Sequence, residues 1–396
     1  ALLARSYLHG FQSGGGDELA RVCRETLDWM LAEMPGDEGG FCSALDADSE
    51  GDNGKEEGFF YSWTIEEFRA VCGDHADAMC GYFGVIDHGE LDGRNVLRVA
   101  APERRPADEV FSELRTRLLA ARAGRERPFR DEKRITAWNA LAIAALAEAG
   151  RVLGEPRYVQ AAVAAAEFVE AQMRCADGSL LRSWLDGRDG PQGFLEDHAY
   201  VVGAWLSLYE ATGDDRWFVL AQQTADQMIE RFGDPEGGFF TTSSDAERLL
   251  VRRKDLDDNP IPSGNSAAAL GLLRLAALTG KNDYREAATK TLSMLQPLAA
   301  KYPTGFANAL QAIAFALAPT REVALVGDNT APLLAVVDER YRPNLVVAST
   351  TGTNENVPLL FQRAAVDGQP TAYVCEGFTC KAPVTEPDAL RTLLGE

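Results

Sequence analysis

The hydrophobic pattern of the chain is most regular between residues 135 and 300, where helices that are apolar on every side alternate with amphipathic helices. The apolar pattern predicts buried helices from Ile135 to about Leu153, over 196–212 and over about 263–279. Each ends at a glycine turn that leads into an amphipathic helix, and these turns begin at Gly154, Gly213 and Gly280, 59 and 67 residues apart. The spacing indicates an internal repeat of helical hairpins.

Hairpins of this kind either stack into an open solenoid or close into a ring. A solenoid usually exposes both of its faces to water, whereas one helix of each predicted pair is too apolar for that. We therefore predict a mainly α fold, an (α/α)6 toroid, with the apolar helices forming the inner ring. About eleven helices are predicted before Pro319. The chain starts in helical period without a Met, so we expect the twelfth helix to lie upstream of Ala1.

Beyond Pro319 the pattern changes from helical to strand-like. Short runs rich in β-branched residues at 321–327, 344–349 and 371–375 predict strands, with helices near 331–341 and 387–394. We therefore predict two domains, the toroid over residues 1–319 and a small C-terminal α/β appendage over residues 320–396.

Composition narrows the classes of partner. The 396 residues include 39 basic and 60 acidic side chains, giving a formal net charge of -21 that disfavours nucleic acid and anionic membrane surfaces. No apolar run is long enough to span a bilayer, and residues 1–30 lack a signal-peptide pattern. We expect a cytoplasmic protein that binds neither nucleic acid nor membrane.

Seven cysteines are present, an odd number without any C-x-x-C pair, which argues against a disulfide framework and a zinc ribbon. Cys375 and Cys380 are the close pair near a predicted strand end. They either pair or bind something, or they are two reduced, packed thiols. No metal site and no cofactor are predicted from these cysteines or from the rest of the chain.

Polar side chains stand at the starts of the predicted inner helices, where a toroid would gather them around a central pocket. These residues are Trp138, Asn139, Glu196, Asp197, His198, Ser263, Asn265 and Asn308. Aromatic, amide and carboxylate groups suit a sugar-like ligand, because ring faces stack on Trp while hydroxyls pair with polar groups. Helix capping by Asp197, Ser263 or Asn265 explains the same residues, as does a packed core histidine at position 198.

The acidic stretch from Asp46 to Glu57 has nearly the spacing of a calcium loop, but its flanks do not predict the two helices of an EF-hand. Two other interpretations of this stretch are open. It is a solvated acidic loop, or it directs Asp46 and Asp48 into the pocket as a carboxylate pair. Further candidates for ligand binding are Tyr61, Trp63 and Lys133. Lys133 could equally pair with a pocket carboxylate or be solvated.

Five ordered motifs carry a resemblance that covers essentially the whole chain. They are Leu45–Gly51 with Glu57–Trp63, Asp131–Asn139, Phe194–Ala199, Pro262–Ser266 and Cys375–Pro383. The sequence resembles thioredoxin-domain-containing proteins related to spermatogenesis-associated protein 20. The resemblance implies a helical region similar to N-acylglucosamine 2-epimerases and six-hairpin glycosidases. It also implies a sugar-like ligand by analogy and, in the full-length protein, an N-terminal thioredoxin-like domain that this sequence lacks.

Two main hypotheses of function follow. The first is a carbohydrate-active domain. It would act as a carboxylate-based hydrolase that uses Asp46, Asp48, Glu196 or Asp197, with His198 beside them. A sugar epimerase of this fold class needs two histidines, and only His198 of the four in the chain starts an inner helix. The second is a non-catalytic scaffold or ligand-binding module that serves the absent thioredoxin-like domain.

Overall fold

The computed structural model describes residues 1–51, 54–247 and 250–395. The chain forms two compact units, one made of residues 1–42 with 133–396 and the other of residues 43–132. The first unit begins with α1 (Leu2–Gly10) and α2 (Asp17–Glu33). Helix α2 is amphipathic, because Cys23 and Leu27 are buried on one face while charged residues occupy the other. The negative charge of Asp17 in the first turn interacts favourably with the helix dipole.

The second unit is built from short strands and three helices. In chain order these are β1 (Ala44–Leu45), β2 (Asp48–Gly51), β3 (Gly54–Glu57), α3 (Ile65–Cys72), α4 (Ala76–Phe83), α5 (Asp108–Ala123) and β4 (Arg130–Asp131). Strand β1 pairs with β4, and β2 pairs with β3, both antiparallel. Thr64 and Glu67 form a capping box at the start of α3. The core of this unit contains Phe68, Met79 and Leu114.

The first unit resumes with three helical hairpins. Its further elements are β5 (Arg134–Ile135), α6 (Thr136–Val152), α7 (Pro156–Phe168), β6 (Ser183–Leu185), β7 (Arg188–Asp189), α8 (Leu195–Thr212), α9 (Asp215–Phe232), α10 (Gly264–Thr279), α11 (Asn282–Lys301) and α12 (Ala307–Leu317). The almost wholly buried helices α6, α8 and α10 pack side by side, α1 packs on α6, and α12 packs on α10. Among the described residues these five helices form the inner layer of a helical toroid, which confirms the predicted fold class.

A turn repeats three times after outer helices of the first unit. In it a backbone N–H donates to the carbonyl four residues later, from Gly36 to Gly40 (3.0 Å), from Cys175 to Ser179 (2.8 Å) and from Asp234 to Gly238 (3.0 Å). A second bond closes each turn, as between the Cys42 N–H and the Met34 carbonyl at 2.8 Å. The internal repeat therefore includes the connection to the next inner helix as well as the hairpin.

The C-terminal segment forms a four-stranded sheet with two helices. Its elements are β8 (Arg321–Val326), α13 (Ala331–Asp338), β9 (Leu345–Thr350), β10 (Thr371–Glu376), β11 (Thr379–Cys380) and α14 (Pro387–Leu393). The strand order is β11-β10-β8-β9, with β8 parallel to β9 and antiparallel to β10. This is the predicted α/β appendage, and β9 contacts α8 and α10 of the toroid. A separate domain beginning at residue 320 stays a prediction.

None of the helices in the described ranges combines the length and the apolar character needed to cross a membrane.

Candidate functional site

A cavity of about 400 Å³ lies between the inner helices of the first unit. All five inner helices line it, together with residues 258–262 and part of the C-terminal segment, residues 337–347. Small side chains at the middle of the inner helices leave the space open, among them Ala144, Gly203 and Gly271. A methyl group added to Gly203 would meet no atom within 4 Å, so this position of α8 faces empty space.

A carboxylate, a guanidinium and an imidazole meet where α1 faces α6 in this cavity. The Glu148 carboxylate accepts from Arg5 Nε at 2.7 Å and lies 2.7 Å from His9 Nε2. The His9 ring stacks on Tyr341 with centroids 4.2 Å apart. Burial opposes ionisation of Glu148, but the charge of Arg5 and the hydrogen bond with His9 outweigh it and hold the pKa of Glu148 below its usual range. The carboxylate is therefore ionised and orients the imidazole.

A second charged group lies near the carboxyl ends of α6, α8 and α10. Glu210 lies 3.0 Å from Arg274 Nη2 and 3.6 Å from Arg151 Nη1, and Arg151 Nη2 lies 3.0 Å from Asp338 Oδ1. Burial raises the pKa of Asp338 to about 6, although Arg151 opposes the rise. Within the described residues, Glu210 Oε1 and Arg151 Nε are buried without a hydrogen-bond partner, which leaves a strong acceptor and a strong donor beside the cavity.

The cavity lining near the starts of α10 and α12 includes a carboxylate, Asp258, whose oxygens are occupied by hydrogen bonds within the protein. Asp258 accepts from the Ser263 N–H (2.7 Å), the Ser266 hydroxyl (2.6 Å) and the N–H groups of Asn308 (2.8 Å) and Ala309 (3.2 Å). Both carboxylate oxygens are therefore used to hold the two helix starts together. The nearby Tyr200 hydroxyl, also in the lining, donates to the Pro262 carbonyl.

The two asparagines that the sequence places at inner-helix starts bind the backbone of the preceding turn. Asn139 accepts the Phe41 N–H at 2.7 Å and donates to the Phe41 carbonyl at 3.0 Å. Asn265 does the same with Phe239, at 2.8 and 3.0 Å. The two Gly-Gly-Phe turns at 39–41 and 237–239 are thus anchored in the same way. Ser263 caps α10, since its hydroxyl accepts the Ser266 N–H at 3.1 Å.

At the start of α8 the structure brings Glu196 and Asp197 together on one guanidinium. Arg182 Nη1 lies 2.5 Å from Glu196 and 3.0 Å from Asp197. Asp197 is fully buried and also accepts the N–H groups of Ala137 (2.9 Å) and Phe194 (2.8 Å), so it joins the starts of α6 and α8. Burial raises its pKa to about 6, although Arg182 opposes the rise.

His198 is 1 % exposed and packs against Phe232, with ring centroids 4.8 Å apart. Its Nδ1 lies 3.0 Å from the Phe194 carbonyl, so Nδ1 carries the proton, and the buried Nε2 has no hydrogen-bond partner among the described residues. Burial lowers its pKa to about 4, which keeps the ring neutral.

Trp138 and Lys133 are exposed. As far as the structure describes it, the cavity lining contains none of the candidates named from the sequence in this unit except Asn308.

The remaining candidates lie in the second unit. Asp46 is exposed, Asp48 is half-buried, and the Asp48 N–H donates to Asp46 Oδ1 at 3.3 Å. Trp63 is buried in the core of this unit, and Tyr61 packs edge-on against Phe60. In the ranges 1–51, 54–247 and 250–395, no group of three or more His, Cys, Asp or Glu side chains is placed to hold a metal ion. Residues 52 and 53 of the acidic loop lie outside those ranges.

The sequence patterns point to the starts of the inner helices, whereas several charged residues of the cavity lie in the second halves of those helices. Glu148, Glu210 and Arg274 lie in the carboxyl-terminal halves of α6, α8 and α10. A usable signal was present, since each is a single charge within an otherwise apolar run, as in Leu-Leu-Arg-Leu around Arg274. Such a charge is costly to bury unless it is paired or used.

The chain was compared with known proteins. No family model matches it. Human spermatogenesis-associated protein 20 is 30% identical over 446 aligned residues, which cover 100% of this chain and 57% of that protein. The mouse protein of the same name is 29% identical over 446 residues, 100% of this chain and 56% of that protein. The chain therefore spans a little more than half the length of these curated relatives.

Solved structures with similar folds include sugar-processing enzymes. Cellobiose 2-epimerase from Spirochaeta thermophila has a TM-score of 0.36 at 20% identity, covering 41% of this chain and 43% of that one. An unsaturated glucuronyl hydrolase specific for heparin has a TM-score of 0.36 at 14% identity, covering 74% and 70%.

Proposed function

From the homology of the whole chain to spermatogenesis-associated protein 20, together with the helical toroid, we propose that the cavity between the inner helices binds a sugar-like small molecule. The observation that carries the proposal is the cavity of about 400 Å³ with carboxylate and guanidinium groups in its lining. A volume of this size is in the range of small-molecule sites. The domain would then be carbohydrate-active or carbohydrate-binding.

The presence of both donors and acceptors in the lining supports a polyhydroxylated ligand. Glu148 and Glu210 offer acceptors, whereas Arg5, Arg151 and Arg274 offer donors. A sugar hydroxyl donates one hydrogen bond and accepts others, so it uses both kinds of group at once.

Within the cavity we assign proton transfer to the His9–Glu148 pair. In the tautomer that donates Nε2–H to Glu148, His9 keeps a lone pair on Nδ1, and a general base needs such a lone pair. Glu196, Asp197 and His198 in the first unit, and separately Asp46 and Asp48 in the second unit, remain catalytic proposals for a carboxylate-based hydrolase. The variants Glu148→Gln and Glu196→Gln, assayed for sugar hydrolysis and epimerisation, separate the first two of these proposals.

One observation favours the alternative of a non-catalytic module. The Arg151–Asp338 ion pair joins the toroid to the C-terminal segment, so part of the cavity lining also has a structural role. A scaffold would keep its partners when the cavity is filled, whereas a ligand-binding domain would lose its ligand.

The variant Gly203→Leu fills the cavity from one side and tests the proposal. Since a side chain at this position enters open space, we expect the variant to fold, and replacing glycine inside a helix adds up to about 1 kcal/mol of stability. Calorimetric titration with a panel of neutral mono- and disaccharides should detect binding to the wild type and none to Gly203→Leu. The control Gly203→Ala adds one methyl group and should retain binding. Equal binding by Gly203→Leu and wild type, or no binding by either, would refute the proposal.

A further inference from the structure

The hairpin formed by β10 and β11 carries a disulfide at its open end. Cys375 and Cys380 face each other in the antiparallel register and are bonded. This is the first of the two possibilities that the sequence leaves open. The other cysteines take no part in this bond, and most of them are buried.

An arginine contacts both sulfur atoms. Arg363 Nη2 lies 2.9 Å from Cys380 Sγ and 3.4 Å from Cys375 Sγ. The same side chain is fixed by a hydrogen bond from Nη1 to the Leu359 carbonyl. A guanidinium held beside sulfur favours the thiolate over the thiol once the bond is opened, because the positive charge stabilises the anion.

The two sulfurs differ in how accessible they are. Cys375 is 1 % exposed and belongs to the core of the sheet, whereas Cys380 is partly exposed. An incoming thiolate therefore reaches Cys380, and the buried Cys375 is the leaving group. Attack at the accessible sulfur with a stabilised leaving thiolate is the arrangement that makes thiol–disulfide exchange fast.

We propose that Cys375 and Cys380 form a redox-active pair that exchanges with thiol reductants. A thiolate of the reductant attacks Cys380 Sγ, forms a mixed disulfide with it and expels Cys375 as a thiolate beside Arg363. A second thiol of the reductant then attacks the mixed disulfide and releases Cys380. Two reductant thiols become one disulfide, and the protein disulfide becomes two thiols, so electrons and protons balance. Arg363 acts as a positioning residue that stabilises the leaving thiolate.

Glutathione is the probe for the test. The protein, with Cys175→Ser to remove another partly exposed thiol, is equilibrated in buffers of increasing ratio of reduced to oxidised glutathione. Acid quenching, alkylation and mass spectrometry then give the oxidised fraction of the peptide that contains both cysteines. We expect the same curve from the oxidised and from the reduced side, with the protein folded throughout by circular dichroism. A disulfide that glutathione leaves intact at every ratio, or thiols that never re-form it, would overturn the proposal.

The role of Arg363 has its own readout. Arg363→Gln should slow reduction roughly three- to tenfold, as expected when stabilisation of the leaving thiolate is lost, and Arg363→Lys should recover part of the rate. Arg391→Gln removes a partly exposed arginine of the same C-terminal segment, which pairs with Glu339, and should leave the rate of reduction unchanged. Equal rates for Arg363→Gln and wild type would show that Arg363 has no part in the exchange.

Discussion

The buried imidazole of His198 makes the stability of the protein depend on pH in a way that can be calculated. Its pKa is lowered from 6.5 to about 4, because burial disfavours the charged ring and Arg174 and Arg231 add positive charge nearby. As pH falls below 6.5 the unfolded chain takes up the proton while the folded protein does not. The contribution of His198 is therefore fully present above pH 6.5 and is lost as pH falls towards 4.

The size of the effect follows from the two pKa values. The shift of about 2.5 units corresponds to about 3 kcal/mol in total, of which about 2 kcal/mol is lost between pH 7 and pH 5. His198→Gln keeps an N–H donor for the Phe194 carbonyl but does not titrate. We expect the wild type to lose about 2 kcal/mol more than the variant over this range, measured as free energies of unfolding in urea.

The quantity to compare is the pH dependence of the unfolding free energy of His198→Gln minus that of the wild type. Asp197 and Asp338, whose pKa values are raised to about 6, titrate in the same range with the opposite sign, and their contributions cancel in that difference. His88→Gln removes an exposed imidazole and should follow the wild-type curve. Parallel pH curves for His198→Gln and wild type would refute the burial argument.

The remaining predictions concern the repeat. Gly280→Ala should cost about 2 kcal/mol or more, because the glycine has φ of +71° and a new methyl group would lie 3.2 Å from the Phe378 ring. Gly154→Ala, with φ of +65° and no atom within 4 Å, should cost only about 1 kcal/mol, and equal losses in thermal unfolding would contradict this account. Asn139→Ala should cost about 3 kcal/mol, since it leaves the buried N–H and carbonyl of Phe41 unpaired; a change below about 0.5 kcal/mol would contradict the anchoring role.

The hairpins and their glycine turns could be predicted from the sequence, because the period of apolar residues and the need for positive φ at Gly213 and Gly280 are local properties. The repeated Gly-Gly-Phe turn can be seen in the sequence, but the asparagine that binds it cannot. Asn139 binds Phe41 across 98 positions of the chain, and no local pattern reports such a contact. The local sequence therefore does not distinguish a helix-start asparagine that binds a ligand from one that anchors a turn.

The division into two compact units could not be obtained from local patterns either. Helices α3 and α5 have the same kind of sequence signal as toroid helices, yet they belong to the unit of residues 43–132. The charged lining of the cavity escaped prediction for a related reason. Glu148 is paired with Arg5 and His9, which lie about 140 positions away in the sequence. These side chains contact one another only after the inner helices have packed together.

A crystal structure with a bound saccharide tests most directly whether the cavity between the inner helices is the ligand site. Crystals would be soaked with the saccharide that binds the wild type most tightly in the titration panel. We expect electron density for the sugar beside Gly203, with its hydroxyl groups within hydrogen-bond distance of Glu210 or Glu148. Density at Glu196 and Arg182 instead, or an empty cavity in crystals that bind the sugar elsewhere, would contradict it.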